Sequence, residues 1–296
     1  MEIIFLGTGQ AVPTAQRNHT AILLKYEDEN ILVDCGEGTQ RQFRKAGLNP
    51  CKLTKILITH WHGDHILGIP GLLQTLALNN YSNTLDVYGP SGTKKYMDHI
   101  MGMFVFVGKI DVQVHEIEEG VFYDKKFILE ATPLEHGTPT LAYSFIEKEK
   151  KRIDMKKAKN LGLKAGPLIG ELQRGKTVKL GKKTVKFSDI GHIDQGKKIT
   201  FIFDTRICKE GVDAGKDADL VISEATYTEE MKDKAAEYKH LTASQAASIA
   251  KAANAKKLYL SHISQRHEHE FPKILKEARK VFKNTFIAED LMKIEV

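Results

Sequence analysis

The chain has 296 residues, 42% of them hydrophobic and 28% charged, with a formal net charge of +6, so it is globular and long enough to bury a sizeable core. It contains no run of eighteen apolar residues and no basic, apolar leader at Met1-Glu2-Ile3-Ile4, which argues against a membrane span or a secretory signal and predicts a soluble, cytoplasmic protein with no membrane partner. Three widely spaced cysteines, Cys35, Cys51 and Cys208, form no metal-like pair and read as reduced thiols rather than a disulfide framework.

Taken in chain order, Glu2 to Leu6 reads as a strand that runs into the turn Gly7-Thr8-Gly9. The polar loop Pro13-Thr14-Ala15-Gln16-Arg17-Asn18 follows, with one cation and one amide suited either to touching phosphate or to a plain solvated turn. Ala21 to Tyr26 and Asn30 to Asp34 read as a hairpin closed by Glu27-Asp28-Glu29. Asp34-Cys35-Gly36-Glu37-Gly38 then leads into a helix through Phe43, with Asp34 either an acceptor behind a ligand imidazole or a helix cap.

The most informative stretch comes next. Lys55 to Thr59 reads as a buried strand, His60-Trp61-His62-Gly63-Asp64-His65 follows it directly, and Ile66 to Ala77 reads as a helix. Three histidines and an aspartate at these offsets arise by chance on the order of once per thousand such chains. In an extended segment alternate side chains point the same way, so His60 and His62 can share one cation. Asp64 and His65, beyond the turn, face a different position and invite a second cation. Imidazole with carboxylate suits zinc first, with manganese or ferrous iron as alternatives.

A strand at Leu85 to Tyr88 and a helix from Gly89-Pro90-Ser91-Gly92 to about Met103 are followed by strands near Asp111 to Ile117, Phe127 to Thr132 and Leu141 to Ile146 with hairpin-like spacing. His136 sits in the loop after the second, as His60 sits after its own strand.

From Glu147 to Lys186 the composition changes: 14 Lys or Arg against 4 Asp or Glu, while the other 256 residues carry 30 basic and 34 acidic side chains. All the net basicity lies in this segment. Gly162, Gly166-Pro167, Gly170 and Gly175 interrupt it and no regular apolar period runs through it, so it reads as a projecting arm rather than a core element. A solvated lysine-rich face is the ordinary fate of such a run, but fourteen cations concentrated in forty residues outside the core are also the electrostatic footprint of a phosphate backbone. The predicted organisation is a domain in two parts, 1–146 and 198–296, with the basic arm and its return over 147–197 between them.

Lys198 to Arg206 returns to a buried strand ending at Asp204, and Asp219 to Thr226 repeats the pattern with Glu224 near its end. Helices over Glu229 to Tyr238 and Ala243 to Ala253, the latter capped by Thr242, precede a last strand, Lys257 to Ser261, which delivers His262. A helix from about Glu270 to Phe282 closes the chain. Hydrophobic strands thus end at His60, His136, Asp204 and His262, and sites in α/β folds gather at the C-terminal ends of strands.

The order His-x-His-x-Asp-His, lone His, lone Asp, final His resembles the metallo-β-lactamase superfamily across the whole chain. Within it, Pro13 to Asn18, Asp204-Thr205-Arg206, Glu224-Ala225-Thr226, His240-Leu241, His262-Ile263-Ser264-x-Arg266 and the arm's Gly166-Pro167-x-x-Gly170-x-Leu172 are similar to elements of the RNase Z family. The sequence departs from that pattern at Ala15, Phe203 and Ser223.

The resemblance implies an α/β fold of the αββα sandwich type, with two mixed sheets flanked by helices. It implies a zinc-dependent endoribonuclease, a hydrolase that removes the 3′ trailer of precursor tRNA and leaves a tRNA 3′-hydroxyl and a 5′-phosphorylated trailer. Carried over by position, His60, His62 and His136 hold one zinc, Asp64, His65 and His262 the other, and Asp204 bridges them, giving two zinc ions per subunit with manganese as the alternative. Asp64 orients the attacking water and takes its proton, His240 protonates the leaving O3′, and Glu224 holds His240. The arm grips the tRNA body, and the resemblance further implies a homodimer. His19, His99, His115, His192, His267 and His269 have no comparable placement and read as structural or surface residues. Two rivals stand beside this reading: a two-metal thioesterase or lactonase on the same fold, and a non-catalytic RNA-binding module.

Overall fold

The computed structural model describes residues 1–103, 105, 110–181 and 183–296. The chain divides into two compact units, one of Met1–Phe145 with Lys198–Val296 and one of Ile146–Lys197.

Among the described residues the larger unit is built on two seven-stranded sheets. In the first the spatial order is Lys293–Glu295, Glu2–Gly7, Ala21–Tyr26, Glu29–Val33, Lys55–Leu57, Thr84–Gly89 and Asp111–Glu116. In the second it is Thr285–Ile287, Leu258–Ser261, Leu220–Glu224, Lys198–Ile202, Thr140–Glu147, Phe127–Leu134 and Gly120–Asp124. Glu29–Val33 through Asp111–Glu116 pair in parallel, as do Lys198–Ile202 through Thr285–Ile287, so each sheet is mixed.

Alternation along the strands makes the layers. In the first strand Ile3 and Phe5 point into the core between the sheets, where they join Phe127, Tyr143, Phe201 and Phe203. Ile4 and Leu6 point the other way and pack on the helices Ile69–Leu78 and Thr93–Met103 through Leu72, Leu76 and Met97. In the second sheet Leu220 and Ile222 face inward, while Val221 joins Ala246, Ile249 and Ile274 of the helices Ala243–Ala252 and Phe271–Val281. Period-two side chains on buried strands therefore produce helix, sheet, sheet and helix layers, the αββα sandwich that the resemblance implies. Thr242 caps its helix as expected, accepting from the Gln245 amide in a capping box.

Several local expectations are corrected. Asp64 and His65 lie in a one-turn helix, Gly63–Ile66, separate from the following helix Ile69–Leu78. The strand Asp111–Glu116 forms no hairpin with Phe127–Leu134; it is an edge of the first sheet, and the hairpin partner of Phe127–Leu134 is Gly120–Asp124. Leu258–Ser261 is not the last strand, because Thr285–Ile287 and Lys293–Glu295 follow it. These late strands are three residues long, too short to carry a period.

The smaller unit has a core of its own, formed by Ala158, Leu163, Leu172, Val178, Val185 and Ile190, which corrects the reading of this segment as lacking core. Its two-stranded sheets pair Lys150–Ile153 with Gly191–Asp194 and Val178–Leu180 with Lys183–Val185. Asp154 caps the short helix Met155–Asn160 by accepting from the Lys156 and Lys157 amides. Lys182, one of the fourteen cations of Glu147 to Lys186, lies outside the described residues.

Candidate metal centre and its acid pair

Strands of both sheets end at one place, and the polar residues at or just beyond their ends meet there. Asp34 follows Glu29–Val33, His60 follows Lys55–Leu57, His136 follows Phe127–Leu134, Asp204 follows Lys198–Ile202, Glu224 ends its strand, and His262 follows Leu258–Ser261. Three of these, Asp34, Asp204 and His262, adopt positive φ of 57°, 43° and 52°, a conformation costly for non-glycine residues and concentrated at functional sites. The loop after Asp34 lies against the His-rich loop so closely that a Cβ on Gly36 would stand 2.4 Å from the Asp64 carbonyl, so only glycine fits.

Asp204 is buried at the centre and offers a different oxygen to each side. Its Oδ2 lies 3.3 Å from His60 Nε2 and 3.8 Å from His136 Nε2. His136 Nε2 is in turn 3.3 Å from His62 Nδ1. The Oδ1 of Asp204 lies 3.2 Å from His262 Nε2 and 3.5 Å from His65 Nε2. Asp64 Oδ2 completes that side, 3.3 Å from His262 Nε2 and 3.5 Å from His65 Nε2, and accepts from the Ala11 amide at 2.9 Å. The seven residues singled out from the sequence thus fall into two groups joined at Asp204.

The opposite nitrogen of four of these imidazoles is tied down. His65 Nδ1 donates to Asp34 Oδ2 at 2.7 Å, so Asp34 is an acceptor behind an imidazole and not a cap; Gly38 precedes the helix Thr39–Lys45 instead. His136 Nδ1 donates to the Lys239 carbonyl at 3.0 Å. Thr59 Oγ1 gives its only hydrogen to Asp34 Oδ2 at 2.8 Å, so it accepts from His60 Nδ1 at 3.1 Å. Thr226 Oγ1 likewise donates to Glu224 Oε2 at 2.6 Å and accepts from His262 Nδ1 at 3.0 Å. With a hydrogen on each Nδ1, Nε2 is the nitrogen that each of these four rings directs at the centre.

A divalent cation fits this arrangement. His60 Nε2 and Asp204 Oδ1 are buried without a hydrogen-bond partner, a costly state that coordination relieves. The donor set of neutral imidazole and carboxylate is that of borderline cations. His60, His62, His136 and Asp204 could hold one ion, and Asp64, His65 and His262 another; Asp204, His240 and His262 also come together. Burial pushes His60 down to about 4, so it is neutral at pH 7. For His65 burial works the same way, but Asp204, Asp34 and Asp64 outweigh it and raise its pKa to about 10, so a cation at its Nε2 displaces a proton. Burial opposes charge on Asp204 too, yet His262, His65 and His60 hold it well below the usual carboxylate range.

His240 differs from the other histidines. Its Nδ1 lies 3.2 and 3.1 Å from the two oxygens of Glu224. Glu224 is wholly buried and accepts from the Thr205 amide at 2.7 Å, the Leu241 amide at 3.1 Å and Thr226 Oγ1. Burial lowers the His240 pKa, but Glu224 and Asp204 overcome it and raise it to about 9. The pair is a fixed, protonated imidazolium beside the cluster, 3.9 Å from Asp204 Oδ2.

Sequence reasoning missed three supporting residues and misjudged a fourth. Thr59 and Lys239 carry no motif of their own, and Thr226, though part of the Glu224-Ala225-Thr226 element, shows no role there; all three act through atoms that the fold brings together only in space. Arg17 is the reverse case. The phosphate-contact alternative for it is overturned: it is buried, donates to Thr8 Oγ1 at 2.6 Å and the Ala288 carbonyl at 2.7 Å, and stacks 4.3 Å over Phe271. Of the departures from the family pattern, Ser223 donates to the Glu224 carbonyl, and the Phe203 ring lies 6.3 Å from those of His65 and His262. Among the histidines set aside, His19 and His267 are buried, with His19 Nε2 bonded to the Ala11 carbonyl.

A family model described as anti-Pycsar protein Apyc1 matches residues 1–105. The chain is 43% identical to the ribonuclease Z of Methanothermobacter thermautotrophicus, over 100% of this chain and 97% of the relative. It is 41% identical to the ribonuclease Z of Bacillus thuringiensis, over 100% of this chain and 99% of the relative. Among solved structures, the short form of human tRNase Z superposes with a TM-score of 0.70 at 30% identity, covering 100% of this chain and 99% of that one. The metallo-β-lactamase fold protein YhfI of Bacillus subtilis superposes with the same TM-score of 0.70 at 18% identity, a likeness of fold alone.

Proposed function

The chain belongs to the ribonuclease Z family of metal-dependent endoribonucleases, and from that premise we propose that it removes the 3′ trailer of precursor tRNA with two zinc ions per subunit. The observation that carries the metal reading is Asp204, whose two oxygens address two separate imidazole groups while its Oδ1 and His60 Nε2 have no hydrogen-bond partner. His60, His62 and His136 would hold one ion, Asp64, His65 and His262 the other, with Asp204 between them; manganese is the alternative occupant.

Bound divalent cations supply positive charge that lowers the pKa of water and stabilises charge building on the phosphate oxygens. The chain's own groups handle the protons. Asp64, fixed by the Ala11 amide and ionised at neutral pH, orients the attacking water and takes its proton as the new oxygen–phosphorus bond forms. His240, charged and aligned by Glu224, gives the proton from its other ring nitrogen to O3′ as the phosphorus–O3′ bond breaks. The products are a tRNA 3′-hydroxyl and a 5′-phosphorylated trailer.

Residues 147–197 would bind the tRNA body through phosphates, a reading supported by the fourteen cations of Glu147 to Lys186 and by the segment's self-contained core. The proposal includes a homodimer acting in the cytoplasm; no helix among the described residues is long and apolar enough to cross a membrane. The direct test is to incubate the protein, with Zn²⁺ or Mn²⁺, with a precursor tRNA carrying a 3′ trailer and map both new ends. One cut on the 3′ side of the acceptor stem with those termini is expected. Salt-sensitive binding without cleavage in either metal would replace the enzyme with a binding module.

A further inference from the structure

His136 reaches the cluster from a loop, Glu135 to Pro139, rather than from the end of a rigid element, and its ring needs an external anchor. That anchor is the residue preceding His240. The helix Lys232–Tyr238 ends with Lys239 in the left-handed conformation, φ 54° and ψ 51°, with the His240 amide donating back to the Ala235 carbonyl at 2.8 Å. This is a Schellman-type stop made without glycine. It turns the Lys239 carbonyl toward His136, where it accepts from Nδ1 at 3.0 Å, and Lys239 Nζ donates to the His136 carbonyl at 3.0 Å. The two residues are thus joined twice, ring to backbone and side chain to backbone, across 103 positions of sequence.

We propose that Lys239 is a positioning residue for the metal centre: its backbone carbonyl fixes the His136 tautomer with Nε2 free, and its ammonium holds the loop that carries His136. The inference rests on the reading of His136 as a ligand. It also ties His136 to the proposed acid, since the peptide that anchors one ring leads directly into the other, and the two rings lie 5.1 Å apart. The ammonium is the part of this device that a substitution can remove alone. Methionine keeps the length of the side chain and the backbone, and arginine restores a cationic donor.

The experiment is a chelator-competition titration of zinc on the whole protein, comparing wild type, Lys239→Met, Lys239→Arg and His136→Ala, with the melting temperature of each metal-stripped protein measured alongside. Lys239→Met is expected to weaken one of two zinc-binding steps by about 10–100-fold, the range for loss of a residue behind a ligand. The other step and the melting temperature stay unchanged, and Lys239→Arg recovers most of the loss. Wild-type zinc binding by Lys239→Met, with His136→Ala impaired, would overturn the positioning role alone. Equal weakening of both steps with a lowered melting temperature would overturn it in favour of a general structural role. Wild-type binding by His136→Ala would overturn the ligand reading and this inference with it.

Discussion

Glu224 meets His240 with both carboxylate oxygens at 3.1–3.2 Å from a single ring nitrogen, at a site where Glu224 is wholly buried and held by three further donors. A carboxylate fixed in this way cannot turn aside, so the imidazole orientation is set by the fold. The Nε2 atoms of His60, His65, His136 and His262 face the centre from imidazoles tied at Nδ1 to neighbouring oxygens, whereas His240 turns its Nδ1 to a carboxylate that meets it with both oxygens.

His240→Ala is therefore expected to lower kcat by about 10²–10⁴-fold, the usual contribution of a positioned acid, while the protein still takes up two zinc ions. Single-turnover cleavage with metal analysis of the same sample checks this. Unchanged turnover would remove His240 from the chemistry, and loss of one zinc would make it a ligand.

The pH profile gives an independent check. The imidazole must be protonated to act, and its pKa is raised to about 9 against the effect of burial. Activity that depends on it should be present at neutral pH and fall as pH rises through about 9. In Glu224→Gln the charge that holds the proton is gone and burial dominates, so the alkaline limb of kcat should move toward lower pH. An unmoved limb in this variant would mean that another group sets it.

Arg17 leads to the opposite expectation from the one its motif invites. Its guanidinium is buried against Thr8, the Ala288 carbonyl and the face of Phe271, and burial lowers its pKa with Asp290 offsetting only part of that. Arg17→Ala should cost about 2–3 kcal/mol of stability, from the missing hydrogen bonds to a charged group and the reduced packing. Thermal melting should detect that, while the salt dependence of KM for precursor tRNA stays as in the wild type. A stable variant whose KM rises would restore the phosphate-contact reading.

Much of this centre is legible in the sequence because it depends on local pattern. An apolar β-branched run followed at once by a polar residue marks a buried strand with something at its C-terminal end, and four such ends point to His60, His136, Asp204 and His262 from the sequence alone. What is not legible depends on atoms distant in sequence or on backbone states without a signature. Nothing in the composition around Lys239 signals a left-handed residue, since glycine is the usual mark. Thr59 and Thr226 look like any strand-end threonines until the carboxylates of Asp34 and Glu224 are brought to them. The small core of residues 146–197 is hidden by the lysines between its six apolar members, which follow no single period because they come from short helices, three-residue strands and, at Leu163, a connecting loop.

That same segment supplies the last prediction. In the helix Met155–Asn160 Ala158 packs into the small core, whereas Lys156, Lys157 and Lys159 are exposed. Replacing these three lysines by glutamine should leave folding intact and act on long-range electrostatics alone. If they touch the tRNA phosphates, KM for a full precursor should rise, and the slope of log affinity against log salt should fall by roughly one for each phosphate no longer neutralised. Cleavage of a small phosphodiester, which has no body to grip, should be unaffected. Equal loss on both substrates would place the lysines in the service of the fold, and no change on either would return the segment to the solvated face that its composition also allows.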